Sequence, residues 1–239
     1  MLSGSTFPQV FANTLIIGAL KLAFGFPAPI ILAILLNEVR HTAFKRTVQT
    51  ISYLPHFISW VVLAGMFSQL LSPTTGAVNY ILQRVTGKTI NFMADPEWFR
   101  ATVVATSIWK GVGWSSIIYL ASLGSIDGEL YEAAEIDGAN RFRRVWHITL
   151  PGLLPIIMIQ LILNVGSIIN DDFDQIFNMY SVPVYSVGDV ISTYTYREGL
   201  INRDYGFSTA VGLSKNVISF ILIIVTNKIT SRFTEYGVW

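Results

Sequence analysis

The sequence predicts an all-α polytopic membrane protein, and three features of the chain predict it. Five windows are each long and apolar enough to cross a hydrocarbon layer about 30 Å thick, which takes roughly 20 helical residues. Only 13% of the 239 residues are charged while 52% are hydrophobic, about half the charge of an ordinary soluble chain. Proline and glycine stand inside the windows, where neighbouring helices re-satisfy the backbone groups they free. Residues 1–239 read as a single transmembrane domain.

The windows run near Phe11 to Leu36, Thr50 to Leu71, Ala101 to Ser125, Gly152 to Ile169 and Phe207 to Asn227. The second and fourth contain no charge, and the others contain one lysine each, Lys21, Lys110 and Lys215. The connections are uneven. Asn37 to Gln49 is short and basic, and Ser72 to Arg100 carries a turn signal followed by an amphipathic stretch from Val78 to Val85. Ile126 to Pro151 is charged and helical in pattern, and Asn170 to Gly206 is acidic and aromatic.

Alternating these connections across a bilayer sets an orientation. With Ile126 to Pro151 in the cytoplasm, that side holds eight of the sixteen Lys and Arg residues, the opposite side five, and the spans three. Basic residues in short loops favour the cytoplasm, so this orientation is preferred. Five spans with a cytoplasmic C-terminus require an external N-terminus, and nothing in Met1 to Val10 would drive one there. A sixth helix upstream of Met1, or a partner in its place, is therefore expected. The first ten residues have neither Lys nor Arg nor a cleavage site, so a removable signal peptide is not expected.

Several chemistries find no support. Cysteine is absent, His41, His56 and His147 are scattered, and the net charge of +1 implies no nucleic-acid partner. No phosphate-binding Gly-rich loop, nucleophile elbow or metalloprotease helix occurs, so the chain is not expected to be an enzyme.

The charged connection after the third window carries the clearest pattern. Asp127 is placed to cap a helix, with Glu129 and Glu132 near its positive end. Gly138 is placed to end that helix in a left-handed conformation, and a second short helix from Asn140 to about Ile148 follows, stopped by Leu150-Pro151. Glu132-Ala133-Ala134, then Gly138, Ile148 and Leu150-Pro151 stand at the spacing of the EAA loop. The segment resembles that loop of binding-protein-dependent ABC importer permeases. Asp137, Ala139 and Phe142 resemble the carbohydrate-uptake branch, as do Asn13-Thr14 and Tyr53-Leu54-Pro55, which are similar to the maltose-importer permeases. Phe177-Asn178, Asp189 to Tyr194, Arg197 to Leu200 and Ala210 to Leu213 resemble a subgroup handling polysaccharide-derived oligosaccharides, including uronate-containing ones.

The resemblance implies a type I ABC importer transmembrane domain in the bacterial cytoplasmic (inner) membrane, lacking the usual first span. It implies that residues 126–151 form the coupling loop, with Glu132, Ala133, Ala134, Asp137, Gly138, Ala139, Arg141, Phe142, Ile148, Leu150 and Pro151 docking on an ATPase. The basic cluster of Arg141, Arg143 and Arg144 is available there for ionic contacts. No cofactor is expected in this chain; ATP and Mg belong to the partner. The partners implied are a homologous permease forming a heterodimer, two ATP-binding subunits, an extracytoplasmic solute-binding protein, an oligosaccharide and the lipid bilayer.

Residues that face cargo are less marked. A charge inside a span is costly and points to function. Lys110 stands between Trp109 and Trp114, with Tyr119 further along, a set suited to sugar rings and a uronate carboxylate. The plainer reading has Lys110 snorkel or pair with an acid such as Asp171 or Asp172. The cluster of Asp171, Asp172 and Asp174 suggests a cation site, and more plainly an exposed solvated turn. A rival function is a cation-coupled secondary transporter using Lys110, Lys215 and the Asp171 to Asp174 carboxylates; another is a membrane scaffold.

Overall fold

The computed structural model describes residues 6–233, which form helices and connections with no strand among them. Helix α1 (Thr6–Glu38) runs 33 residues, about 50 Å at 1.5 Å per residue. It contains a π turn at Lys21–Gly25, just before Pro27. Proline lacks an N–H and its ring collides with the carbonyl four residues back, and a wider turn relieves both problems.

The second predicted window is corrected. It is no straight span but two helices, α2 (Thr42–Phe57) and α3 (Trp60–Leu70), bent by 107°. The break follows from Pro55, which lies in a tight 3-10 turn at Leu54–Phe57, and from Ser59, whose hydroxyl accepts from the Val62 N–H at 3.4 Å and starts α3. After the amphipathic α4 (Ala77–Thr86), helix α5 (Pro96–Leu123) fills the third window.

Among the described residues three helices are long and apolar enough to cross a membrane: α1, the stretch Arg141–Gly166 and the stretch Tyr205–Arg232, with the bent pair as a fourth. Helix α5 has 28 residues, about 42 Å, which spans a bilayer by length. Its polarity, from Thr102, Thr106, Ser107, Lys110, Ser115 and Ser116, matches its place at the centre of the helices. It packs along the second half of α1, along α2 and against the fourth predicted span. Phe99, Val103 and Ser116 are fully buried there.

The elbow that follows is α6 (Gly128–Ile136) and α7 (Arg141–Gly166). The acidic, aromatic connection after α7 is not a loop. It folds into α8 (Phe173–Met179), α9 (Tyr185–Gly188) and α10 (Ile191–Tyr196), the last continuing as a π turn at Arg197–Ile201, before α11 (Tyr205–Phe233) closes against α7.

The core is divided by level. One cluster joins Ile17, Leu63, Phe67, Phe99, Val103, Ile176, Met179 and Val190, so the residues after α7 re-enter the protein interior. A second, nearer the elbow, joins Ile30, Ala33, Tyr119, Leu123 and Leu153. Val10, Ile191 and Val211 form a third between the two end helices.

Candidate functional site: an elbow and a polar cavity

The elbow is built from local signals. The Asp127 carboxylate accepts from the Glu129 N–H at 3.0 Å and caps α6. At the other end Gly138 adopts φ +75°, a conformation costly for a residue with a Cβ. The Ala139 N–H then reaches back to the Ala134 carbonyl at 2.9 Å, a bond that closes the helix end. Asn140 starts the second arm, its side-chain oxygen accepting from the Arg143 N–H at 2.9 Å.

Here the expected end of the second arm is corrected. Leu150-Pro151 does not stop the helix; α7 runs unbroken from Arg141 to Gly166. A π turn at Val145–Thr149 absorbs the backbone conflict that Pro151 would cause. The arm is thus continuous with the span. Two contacts brace the bend: Tyr131 Oη to Thr149 Oγ1 at 3.0 Å, and Arg144 to Glu135 at 3.1 Å. Arg144, expected to face outward with Arg141 and Arg143, is mostly buried in that brace, leaving Arg141 and Arg143 exposed.

Glu132, Ala133, Asp137, Gly138, Phe142 and Pro151 are exposed, whereas Ala134, Ala139, Ile148 and Leu150 are half-buried. Ile136, Phe142 and Trp146 project at 88%, 87% and 69% exposure. Leu130, Ile136 and Trp146 were missed by sequence reasoning, although large apolar residues in a highly charged connection are themselves a signal.

The second feature is a polar cavity of about 240 Å³ between the π turn of α1, the middle of α5 and the end of α7. Its wall includes Lys21, Ser107, Ser115, Asn164, Asn170 and Asp171. A second cavity of about 280 Å³ adjoins it through Gly25, Phe26, Pro29, Ser115 and Asn164, and adds Trp114, Tyr119 and Gln160. Trp114 and Tyr119 therefore meet on this path. Trp109 lies elsewhere, edge-on to Phe67.

Lys110 is also engaged elsewhere. Its ammonium donates to the carbonyls of His56 at 3.1 Å and Ile58 at 2.5 Å, satisfying acceptors freed at the α2–α3 break. The expected pairing of Lys110 with Asp171 or Asp172 is corrected, because both carboxylates have other partners. Asp171 pairs with Lys215 at 2.8 Å and accepts from the Ser192 N–H and hydroxyl. Asp172 accepts from the Trp60 indole at 2.7 Å.

Asp171 is consequently no part of a solvated turn; its side chain is 3% exposed. Lys21, the lysine of the first window, donates to Gln175 Oε1 at 2.6 Å, and the Gln175 amide is pinned by the Val103 carbonyl and the Thr106 hydroxyl. Beyond this cluster Arg197 pairs with Asp189 at 2.6 Å, which raises the guanidinium pKa above its usual value. Burial pushes the Tyr180 phenol beside them up to about 12. No group of His, Cys, Asp and Glu among the described residues is arranged to hold a metal ion.

Comparison with known proteins accounts for the architecture. Residues 25–234 match the family described as binding-protein-dependent transport system inner membrane component. Protein LplB of Bacillus subtilis (strain 168) is 45% identical over 233 residues, covering 98% of this chain and 73% of the relative. The polygalacturonan/rhamnogalacturonan transport system permease protein YteP of the same organism is 41% identical, with the same coverage. A chain in the crystal structure of a bacterial alginate ABC transporter, in complex with alginate pentasaccharide-bound periplasmic protein, superposes with a TM-score of 0.94 at 41% identity. That match covers 99% of this chain and 82% of the other. An all-helical fold with a bent, braced elbow between two spans, matched along most of its length, identifies this chain as a member of the binding-protein-dependent ABC importer permeases, an inner membrane component of such a transport system.

Proposed function

We propose that this permease conducts an oligosaccharide, including uronate-containing ones, inward from a solute-binding protein, driven by two separate ATP-binding subunits. The observation that carries the coupling half of this reading is the elbow. Three large apolar side chains are exposed on a connection whose bend is fixed by Gly138 and whose second arm is continuous with a span. A partner groove that covers Ile136 and Phe142 would gain hydrophobic contact, and motion of that partner would pass into α7 without a flexible joint. Glu132, Ala133, Ala134, Asp137, Ala139 and Arg141 would form the rest of the docking surface, with Ile148, Leu150 and Pro151 carrying it into the span.

The cargo half rests on the cavity pair. Hydroxyl, amide and aromatic groups from α1, α5 and α7 converge there, which suits a sugar. The relatives named for acidic polysaccharides support the uronate reading. A homologous permease forming a heterodimer would supply the facing wall of the pathway. Within the wall Trp114 and Tyr119 are the assigned contacts, and Lys110 acts as the pin of the α2–α3 break.

The test is uptake in vesicles carrying the assembled transporter. Labelled uronate oligosaccharides are expected to enter only with internal ATP and the binding protein, and to keep entering after ion gradients are collapsed. Uptake that needs an ion gradient and ignores ATP would contradict the reading.

A further inference from the structure

Helix α4 (Ala77–Thr86) is amphipathic with its apolar stripe facing the wrong way for a soluble surface helix. Its inward face is fixed by Asn79, which is 1% exposed. That side chain donates to the carbonyls of Leu71 at 2.9 Å and Ile90 at 2.9 Å, and accepts from the Ile90 N–H at 2.8 Å. Gly76, just before the helix, sits so close to the backbone that an added Cβ would meet the carbonyl oxygens of Leu70 and Ser72 at 2.5 Å. Helix α4 is therefore clamped to the very end of α3, and α5 begins ten residues after its end, at Pro96. Its depth is set by the ends of those two helices.

The outward stripe is Ala77, Tyr80, Ile81, Arg84 and Val85, a helical i, i+3, i+4, i+7 pattern, and exposed Lys88 follows just past the left-handed Gly87 that ends the helix. Tyr80, Ile81 and Val85 are 58%, 63% and 79% exposed. Arg84 lies over the Tyr80 ring at 4.6 Å. Trp98, in the first turn of α5, is also exposed. Apolar side chains interleaved with cations and ring-bearing residues, at the level where spans end, is the composition of a helix lying in a lipid headgroup layer.

We infer that α4 is an interfacial helix: Ile81 and Val85 enter the acyl boundary while Arg84 and Lys88 meet lipid phosphates. The partner is the phospholipid surface. The role is to anchor the α3–α5 connection at the membrane plane, so that the ends of those helices keep a fixed depth when the elbow moves at the other side.

The chain has no native cysteine, which makes the test direct. Single variants Ile81→Cys, Val85→Cys and Gln83→Cys, each carrying an environment-sensitive fluorophore, are reconstituted as the assembled transporter. The vesicles are phosphatidylethanolamine with phosphatidylglycerol. Gln83 is exposed but lies about 200° around the helix from Ile81. A phospholipid brominated near its headgroup should quench positions 81 and 85 at least about twofold more than position 83, with aqueous iodide showing the reverse order. Equal iodide quenching at all three sites would overturn the inference, because the stripe would then face water. Protection of 81 and 85 from both quenchers would also overturn it, because a protein would then cover the stripe.

Discussion

The two ends of this permease invert the ordinary rules of burial in opposite senses. At the end built by α8 to α10, charged groups are buried and closed on one another: Asp171 with Lys215, Asp189 with Arg197, Lys21 with the pinned Gln175. At the elbow, large apolar groups are exposed and polar contacts serve only to hold the bend. The first arrangement is complete within one chain. The second leaves Ile136, Phe142 and Trp146 exposed with no compensating contact inside the fold, on the face that the proposed ATP-binding partner would cover. A closed, charge-paired end and an open, apolar end suit a transmitting subunit: the first holds its shape by ion pairs of its own, and the second offers apolar surface to the proposed ATP-binding partner.

The comparison can be broken most forcefully at the closed end. Asp171→Ala leaves the Lys215 ammonium buried without its counter-ion. Loss of one partner of a buried pair costs about 3–5 kcal/mol, so the melting temperature of the solubilised transporter should fall sharply. Adding Lys215→Met should recover most of the loss; no recovery would mean that the pair is not the unit it resembles here. The open end should behave otherwise. Phe142→Ala should leave melting unchanged yet weaken association with the ATP-binding subunits by about 2 kcal/mol, the scale of an interface hot spot, read by binding in detergent. A drop in stability without a change in association would reverse the contrast. Smaller again is Gly138→Val, which forces a β-branched residue to φ +75° at a cost of about 1–2 kcal/mol. It should lower ATP-driven uptake more than it lowers melting temperature, because the strain falls on the bend itself.

Much of the elbow was legible because its signals are local. Asp127, Gly138 and Asn140 act within a few residues of themselves, and each takes its expected place. The end of the second arm was misread because Pro151 forbids only the ordinary helical bond, and a π turn five residues long bypasses that prohibition. The five windows located the helices, but a window average conceals a break. Pro55 and Ser59 turn the second by 107° without lowering its apolarity.

The closed end was the least legible. Asp171 and Lys215 are 44 positions apart, and Lys21 and Gln175 are 154 apart. No spacing rule connects such residues. A lysine in an apolar window announced that a partner existed without naming it, and Lys110 took backbone carbonyls instead of a carboxylate. The cavity wall was missed for the same reason, since α1, α5 and α7 each contribute only one or two polar groups to it.

The most direct test of the central claim is a cross-link from the elbow. Ile136→Cys in the assembled transporter, treated with a short thiol-to-amine reagent, should join the permease to an ATP-binding subunit, with a yield that changes when nucleotide is added. Labelling of that cysteine from outside intact cells, or a cross-link to no nucleotide-binding subunit in either condition, would contradict the account.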